Sequence, residues 1–322
     1  MDKIWNISPT ETVLTNLCSK GTHSNKRVEF VQDTLAASVT NNAVVEGADS
    51  AKNDGKYGER VSNFTQVATK EVKVTDLSEA SNSIGGMAKL SRQIRDRQTE
   101  LRLDVESQMC THQASVAGDA TSVAGISAGI GAQLKTNVSV AAGGAVGGFN
   151  TTTGLFVAPT PGTTPRALSE TTIRDILQSV YVNGGNTSTA MATPKVIRLL
   201  SEYLFGSTAR VATLTSDKAQ KGDGGALTAY GSVNVFVTDF GQTITLKDNR
   251  QQKADASNVS SMYFLDGTHL KQSMMEGYKV TPLAKNGLYE RRMMSVMYSL
   301  LVLNEKSQGA IFDIDETTAV VA

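Results

Sequence analysis

The 322-residue sequence predicts an α+β chain. Three observations carry that class. Apolar residues recur at helical spacing between residues 84 and 109, two capped helices follow one another between 169 and 206, and the last third alternates with the period of strands. Nothing repeats at a solenoid interval.

Taken in chain order, residues 1–43 read as an extended arm. Its short apolar groups, Ile4-Trp5, Val13-Leu14 and Val28 with Phe30 and Val31, are separated by turn-rich links and none is long enough to bury a face alone. Trp5 is the only tryptophan and sits where termini usually fray, so it is expected to dock, in its own subunit or the next.

Residues 44–76 form a long polar excursion. Glu46 through Arg60 is charged and glycine-punctuated, while Thr65–Thr75 alternates Val72 and Val74 against Glu71, Lys73 and Thr75 as a strand does. A two-stranded hairpin is marginal in water by itself, and no apolar partner is evident in the same chain. The reading that follows is a hairpin resting on a neighbouring copy.

A long helix is predicted from about Met87 to His112. Ile84, Met87, Leu90, Ile94, Leu101, Val105 and Met109 make one apolar stripe. The other faces carry Lys89, Arg92, Arg95, Asp96, Arg97, Glu100, Arg102, Asp104 and Glu106. Basic residues lead and acidic ones trail, opposite to the preference of the helix macrodipole. Two readings stay open: a solvated face, or a face turned to partners.

Residues 115–165 are rich in Gly, Ala, Ser and Thr and read as turns. The first helix of the pair takes Ser169 as N-cap, buries Ile173, Ile176, Leu177 and Val180, and stops at Gly184-Gly185. The second takes Thr193 as N-cap and Pro194 at its first position, buries Val196, Ile197, Leu199, Leu200 and Leu204, and stops at Gly206. Strands are then expected at Val233–Asp239, Thr243–Lys247, Met262–Asp266 and Gly277–Leu283, and over Arg291–Leu303, which is apolar on both faces and so covered on both.

Composition narrows the function classes. Lys plus Arg equals Asp plus Glu at 31 each, so the excess basic charge of a phosphate-neutralising binder is absent. Charged residues are only 19% of the chain and Ser with Thr about a fifth, a surface that loses little on desolvation against other subunits. The N-terminus has no apolar signal core and no window approaches a membrane span. Cys18 and Cys110 lie far apart and read as reduced thiols.

No catalytic constellation is visible. His23, His112 and His269 sit in no metal-ligand spacing, and GxxxxGK[ST] does not occur; GxSxG occurs once, as Gly125-Ile-Ser-Ala-Gly129, inside the Gly/Ala/Ser-rich stretch read as turns. Asp313-Ile-Asp-Glu316 reads as a solvated acidic tail. Hence no catalytic, cofactor-binding or metal-binding residue is assigned.

The ordered series of segments resembles the tailed-bacteriophage major capsid (major head) protein family. The stretches that carry the resemblance are Trp5-Asn-Ile-Ser-Pro-Thr-Glu-Thr, Asp33-Thr-Leu-Ala-Ala, Val45-Glu-Gly-Ala-Asp49 and Asn63-Phe-Thr-Gln. Arg95-Asp-Arg, Glu100-Leu-Arg-Leu-Asp-Val-Glu106 and Gly287 through Asn304-Glu-Lys complete it. The resemblance implies the Hong-Kong-97-type fold. On it, 1–43 are the N-arm, 44–76 the E-loop, 77–116 the peripheral domain with its spine helix, 117–285 the axial domain, and 286–322 the peripheral return strand and C-terminus.

It further implies a shell subunit of the virion, assembled in the host cytoplasm as hexamers and pentamers into an icosahedral head. The implied partners are copies of itself, a scaffolding protein, a portal protein, a decoration protein, and double-stranded DNA held non-specifically; no membrane and no cofactor are implied. The start at the arm, without a long helical leader, suggests a separate scaffold or a leader already removed. Certain relatives weld subunits through a Lys–Asn isopeptide bond, for which Lys52, Lys56 and Asn53 are the loop residues of the right types. Trp5, Glu46, Asp49, Lys52, Lys56, Arg60, Arg92, Arg95, Arg97 and Glu100 are the expected inter-subunit contacts. An encapsulin-like compartment shares the implied fold. A binding module or adhesin using the loops of 115–165 remains the alternative from another class.

Overall fold

The computed structural model describes residues 7–41, 43–49, 57–81, 89–119, 121–206, 235–252 and 259–321. The described chain opens with helix α1 (Val13–Leu17) and strands β1 (Ser19–Thr22) and β2 (Arg27–Gln32). Next come β3 (Glu59–Phe64), β4 (Gln66–Thr75), the short α2 (Asp76–Ala80) and the long α3 (Lys89–Met109). The Gly/Ala/Ser-rich stretch contributes α4 (Ile130–Gln133), β5 (Val138–Ser139), β6 (Gly148–Asn150) and β7 (Leu155–Val157). The helix pair is α5 (Glu170–Val182) and α6 (Pro194–Gly206), with β8 (Thr189–Ala192) between them. β9 (Val235–Val237), β10 (Thr243–Asp248), β11 (Val259–Leu265), β12 (Leu270–Pro282), β13 (Tyr289–Val302) and β14 (Gly309–Asp315) follow.

Two sheets organise these elements. The first runs β1-β12-β13-β4 and the second β5-β14-β11-β8-β10-β9. Helix α3 lies on the first: Leu101, Val105 and Met109 pack in one core with Val72 and Val74 of β4 and with Met294, Val296, Tyr298, Leu300 and Val302 of β13. Those five β13 residues share one face, as the period of two requires. β11 is buried on both sides. Tyr263 and Leu265 join the α3 core, whereas Met262 and Phe264 face the second core beneath α5 and α6.

Four readings of the sequence are corrected. Residues 13–22 are not a free arm: Leu14 is fully buried in the α3 core, and β1 pairs in parallel with β12 from Ser19↔Lys271 to Thr22↔Met274. The returning strand has its partner in its own chain. β4 pairs with β13 from Tyr289↔Thr75 to Tyr298↔Gln66, and its valines are covered by α3. The excursion and its return are therefore not two strands of one hairpin; β3 pairs with β2 instead, from Arg27↔Phe64 to Gln32↔Glu59.

Glu106 is no surface charge either. It is fully buried, and its carboxylate accepts from Leu14 N (2.6 Å), Thr15 N (2.8 Å), Thr15 Oγ1 (2.6 Å) and Asn249 Nδ2 (2.9 Å). It satisfies amides at the start of α1 that no intrahelical carbonyl can reach.

The acidic tail is the fourth. Asp313 and Glu316 are buried on or beside β14, which lies inside the second sheet. Asp313 adopts φ 59°, a left-handed conformation that aspartate tolerates better than most residues, at the bulge where β14 carries an extra residue against β11. Its Oδ2 accepts from Ala141 N (3.1 Å) and Gly162 N (3.0 Å), pinning two turns of the glycine-rich stretch. Glu316 accepts from Thr193 Oγ1 at 2.5 Å and pairs with Lys195 Nζ at 3.2 Å, so it anchors the start of α6.

Sheet membership also moves the expected divisions. Residues 270–282 pair with β13 in the first sheet, and 309–315 with β11 in the second. The helix pair, its apolar positions Ile173, Ile176, Leu177, Val180, Val196, Leu199 and Leu200, and the β10–β13 pattern agree with the sequence reading.

Candidate functional site

A highly exposed part of the described molecule is the hairpin β2–β3 with residues 33–41, 43–49 and 57–58 between its strands. Val31, Leu35, Val39, Val44, Val45 and Tyr57 all stand out in solvent, Leu35 at 99% and Tyr57 at 98% exposure. Single surface apolars need no explanation, but their recurrence along one excursion suits a surface that meets a partner. The sequence reading concentrated on the charges of this loop and missed these residues. Their signal was present as single apolar residues recurring in a polar stretch.

The root of the hairpin is held firmly. Val61 packs with Ala128, Ala132 and Phe156, and Phe30 and Phe149 lean on that cluster. Asn63, fully buried, donates to Leu300 O (2.6 Å) and Ser127 Oγ (3.2 Å) and accepts from Ala128 N (3.0 Å). The His23 ring bridges Ser273 Oγ and Thr65 Oγ1, each at 2.8 Å, and partial burial pulls its pKa below the ordinary value. One side chain thus ties the start of the hairpin, its end and β12 together.

The predicted contact residues divide as follows. Trp5, Lys52 and Lys56 lie outside the described residues, as does Asn53. Glu46 and Asp49 are exposed on the loop. Arg60 sits on β3, 3.5 Å from Glu29 Oε2. On α3, Arg92 pairs with Asp96 at 3.6 Å and Arg97 with Glu100 at 2.6 Å, while Arg95 reaches Asp96 only at 4.0 Å. Lys70 of β4 sits 3.2 Å from Glu100 and 2.9 Å from Asp104, which gives the acidic end of the helix an intrachain counter-charge. Two of the trailing carboxylates of α3, Glu100 and Asp104, thus answer a lysine on the strand beneath.

No reactive chemistry gathers among the described residues. Among the described residues, no group of three or more His, Cys, Asp or Glu could hold a metal ion, and no helix is long and apolar enough to cross a membrane. Burial pushes the Cys18 thiol up to about 12 and the Cys110 thiol well above its ordinary range. Because the thiolate is the reactive form, neither cysteine is expected to react with a thiol reagent in the folded chain, and both should titrate after denaturation. Rapid labelling of either in native buffer would contradict the packing of α1 on α3.

A spine-like helix across a four-stranded sheet, a second sheet carrying two helices, and a projecting hairpin define a shell subunit of the Hong-Kong-97 type. Solved structures of that class align along almost the whole chain. The capsid of cyanophage P-SCSP1u matches with TM-score 0.54 at 11% identity, covering 96% of this chain and 90% of the other. The SrpI encapsulin of Synechococcus elongatus matches with TM-score 0.55 at 10% identity, covering 98% and 94%. The major capsid protein of Escherichia phage Phieco32 is 26% identical over 95% of this chain and 91% of its own. The model of the SU10 major capsid protein family matches residues 1–315, and the chain belongs to that family. It is a major capsid protein of a tailed phage, a component of the virion whose role in the family is structural.

Proposed function

We propose that this chain builds the phage head as hexamers and pentamers of one subunit, with the loop 33–58 laid across a neighbouring copy. The observation that carries the reading is the series of exposed apolar side chains, Val31, Leu35, Val39, Val44, Val45 and Tyr57, which no other described residue covers. Burying apolar area against a neighbour is worth roughly 25 cal/mol per Å², so these residues supply the affinity. The charges Glu46, Asp49, Lys52, Lys56, Arg60 and Arg95 set register, since an exposed ion pair is worth only about 0–1 kcal/mol.

On this reading the first sheet with α3 is the peripheral domain and the second sheet with α5 and α6 the axial domain. Assembly takes place in the host cytoplasm with a scaffolding protein, a portal protein and a decoration protein as partners. The balanced net charge suits a container filled with double-stranded DNA from outside, touched non-specifically. Negative-stain electron microscopy of the concentrated chain tests the reading. Closed shells, tubes or hexagonal sheets are the expected result. Persistent monomers, even with the neighbouring phage proteins co-expressed, would overturn it.

A further inference from the structure

We propose that the free edge of β4 pairs with the same edge of a second copy, antiparallel about a twofold axis, with Val72 opposite Val72. β4 ends the strand order β1-β12-β13-β4, and β13 is its one strand partner among the described residues. The backbone alternation at that edge is fixed. Asp76 N donates to Leu288 O at 3.1 Å, which continues the register Thr75↔Tyr289. In an antiparallel ladder, pairs that exchange hydrogen bonds alternate with pairs that do not. The even-numbered residues of β4 therefore bond to β13, while Val67, Thr69, Glu71, Lys73 and Thr75 turn their amides and carbonyls outward. All five are exposed. An edge of this kind on a ten-residue strand is a template for another strand.

Charge selects the occupant and the register. Two antiparallel copies must set odd-numbered residues opposite odd-numbered ones, because those carry the outward amides. With Glu71 opposite Glu71, or Lys73 opposite Lys73, like charges meet at the axis, which is destabilising. Only the register centred on Val72 sets Glu71 opposite Lys73, twice, and it also sets Thr69 opposite Thr75. Opposite charges and paired hydroxyls are both favourable across strands. Each charge can take the extra neighbour. Glu71 already pairs with Arg291, and Lys73 lies over the Tyr289 ring at 4.0 Å. Both of those partners sit on β13, which leaves the outer flank to the copy.

The helix above the edge fits the same arrangement. Leu101, Val105 and Met109 of α3 share one core with Val72 and Val74 of β4 and with Met294 and Val296 of β13, so α3 covers both strands. Strands lie about 4.8 Å apart. A helix axis running over the pair therefore comes about 10 Å from its twofold mate, within the spacing of packed helices. The charges of α3 beside the edge are balanced: Glu100 and Asp104 meet Lys70, and Arg97 meets Glu100. No single-sign surface holds the copies apart. The contact is isologous and uses none of residues 33–58, so it goes beyond the loop contact proposed above.

Sedimentation velocity of the unassembled full-length chain is expected to show a concentration-dependent dimer. Lys73→Glu and Glu71→Lys each set like charges opposite one another at two places per dimer, and each is expected to weaken it roughly tenfold. The double variant Glu71→Lys with Lys73→Glu restores the opposition and should recover the parental affinity, a result that misfolding cannot imitate. Thr69→Pro removes an outward N–H without touching the β13 ladder and should give monomers with unchanged far-ultraviolet circular dichroism. A chain monomeric at every concentration would overturn the proposal. So would single reversals without effect, or a double variant as weak as the single ones. Replacing residues 33–58 by a short turn should leave the dimer intact. Dimers that vanish with that loop would belong to the loop and overturn pairing at β4.

Discussion

Replacing residues 33–58 with an Asn-Gly turn is expected to leave a folded subunit that no longer closes shells. The register Gln32↔Glu59 already brings the two strand ends opposite each other, as a two-residue hairpin turn requires. The root contacts of Asn63, His23 and Val61 all lie outside the deleted stretch, so the cores keep their packing. What disappears is Leu35, Val39, Val44, Val45 and Tyr57, the exposed apolar series, together with Glu46 and Asp49. Thermal unfolding should stay close to that of the parent chain, while electron microscopy of the variant should find no closed particles. Normal shells from this variant would remove the loop from the assembly mechanism.

The second large effect is expected at Glu106. Glu106→Ala strips acceptors from the Leu14 and Thr15 amides, the Thr15 hydroxyl and the Asn249 side chain, with Leu14 and Asn249 fully buried. Stranding two buried donors, at roughly 1–3 kcal/mol each, predicts a loss on the order of 4 kcal/mol. Glu106→Gln should lose less, about 2 kcal/mol, because one oxygen survives while the new amide N–H₂ opposes an N–H donor. Glu100→Gln, on the exposed face of the same helix, should change stability by no more than about 1 kcal/mol. Urea denaturation of the three variants gives the comparison. Equal effects at 100 and 106 would refute the buried role, and amide exchange of residues 13–18 should quicken selectively in the Glu106 variants.

The helices were legible in the sequence because their signals are local. An N-cap, a proline at the first position and an apolar stripe at helical spacing place α5 and α6 within a residue or two, and α3 nearly so. The strand pattern from β10 to β13 was equally plain. What escaped was pairing across long sequence separation. Nothing local distinguishes a strand β4 awaiting another copy from one paired with β13, more than 200 residues later.

Charge was the other blind spot. Glu106, Asp313 and Glu316 resemble surface carboxylates until the backbone amides and hydroxyls that they serve are located, and those partners lie on α1, in the glycine-rich turns and at the start of α6. In the assembly surface the bias ran the other way. Ion-pair candidates drew attention, whereas the exposed apolar residues of the loop looked like noise in a polar stretch. Several of the proposed charges turn out to have intrachain partners, and the loop carboxylates Glu46 and Asp49 remain exposed.

A single residue, Thr65, separates β3 of the hairpin from β4 of the first sheet. Just before it, Asn63 donates to Leu300 O and Val61 packs on Phe156, so the end of β3 is fixed to the body of the subunit. What lies beyond Val61 behaves as an arm on a fixed mount: a strand rises about 3.3 Å per residue, and a small turn beyond the mount is magnified along the loop. A shell needs the same chain to meet neighbours at different dihedral angles where it is flat and where it bends. In this subunit that adjustment falls on the arm beyond Val61, leaving both packed cores undisturbed.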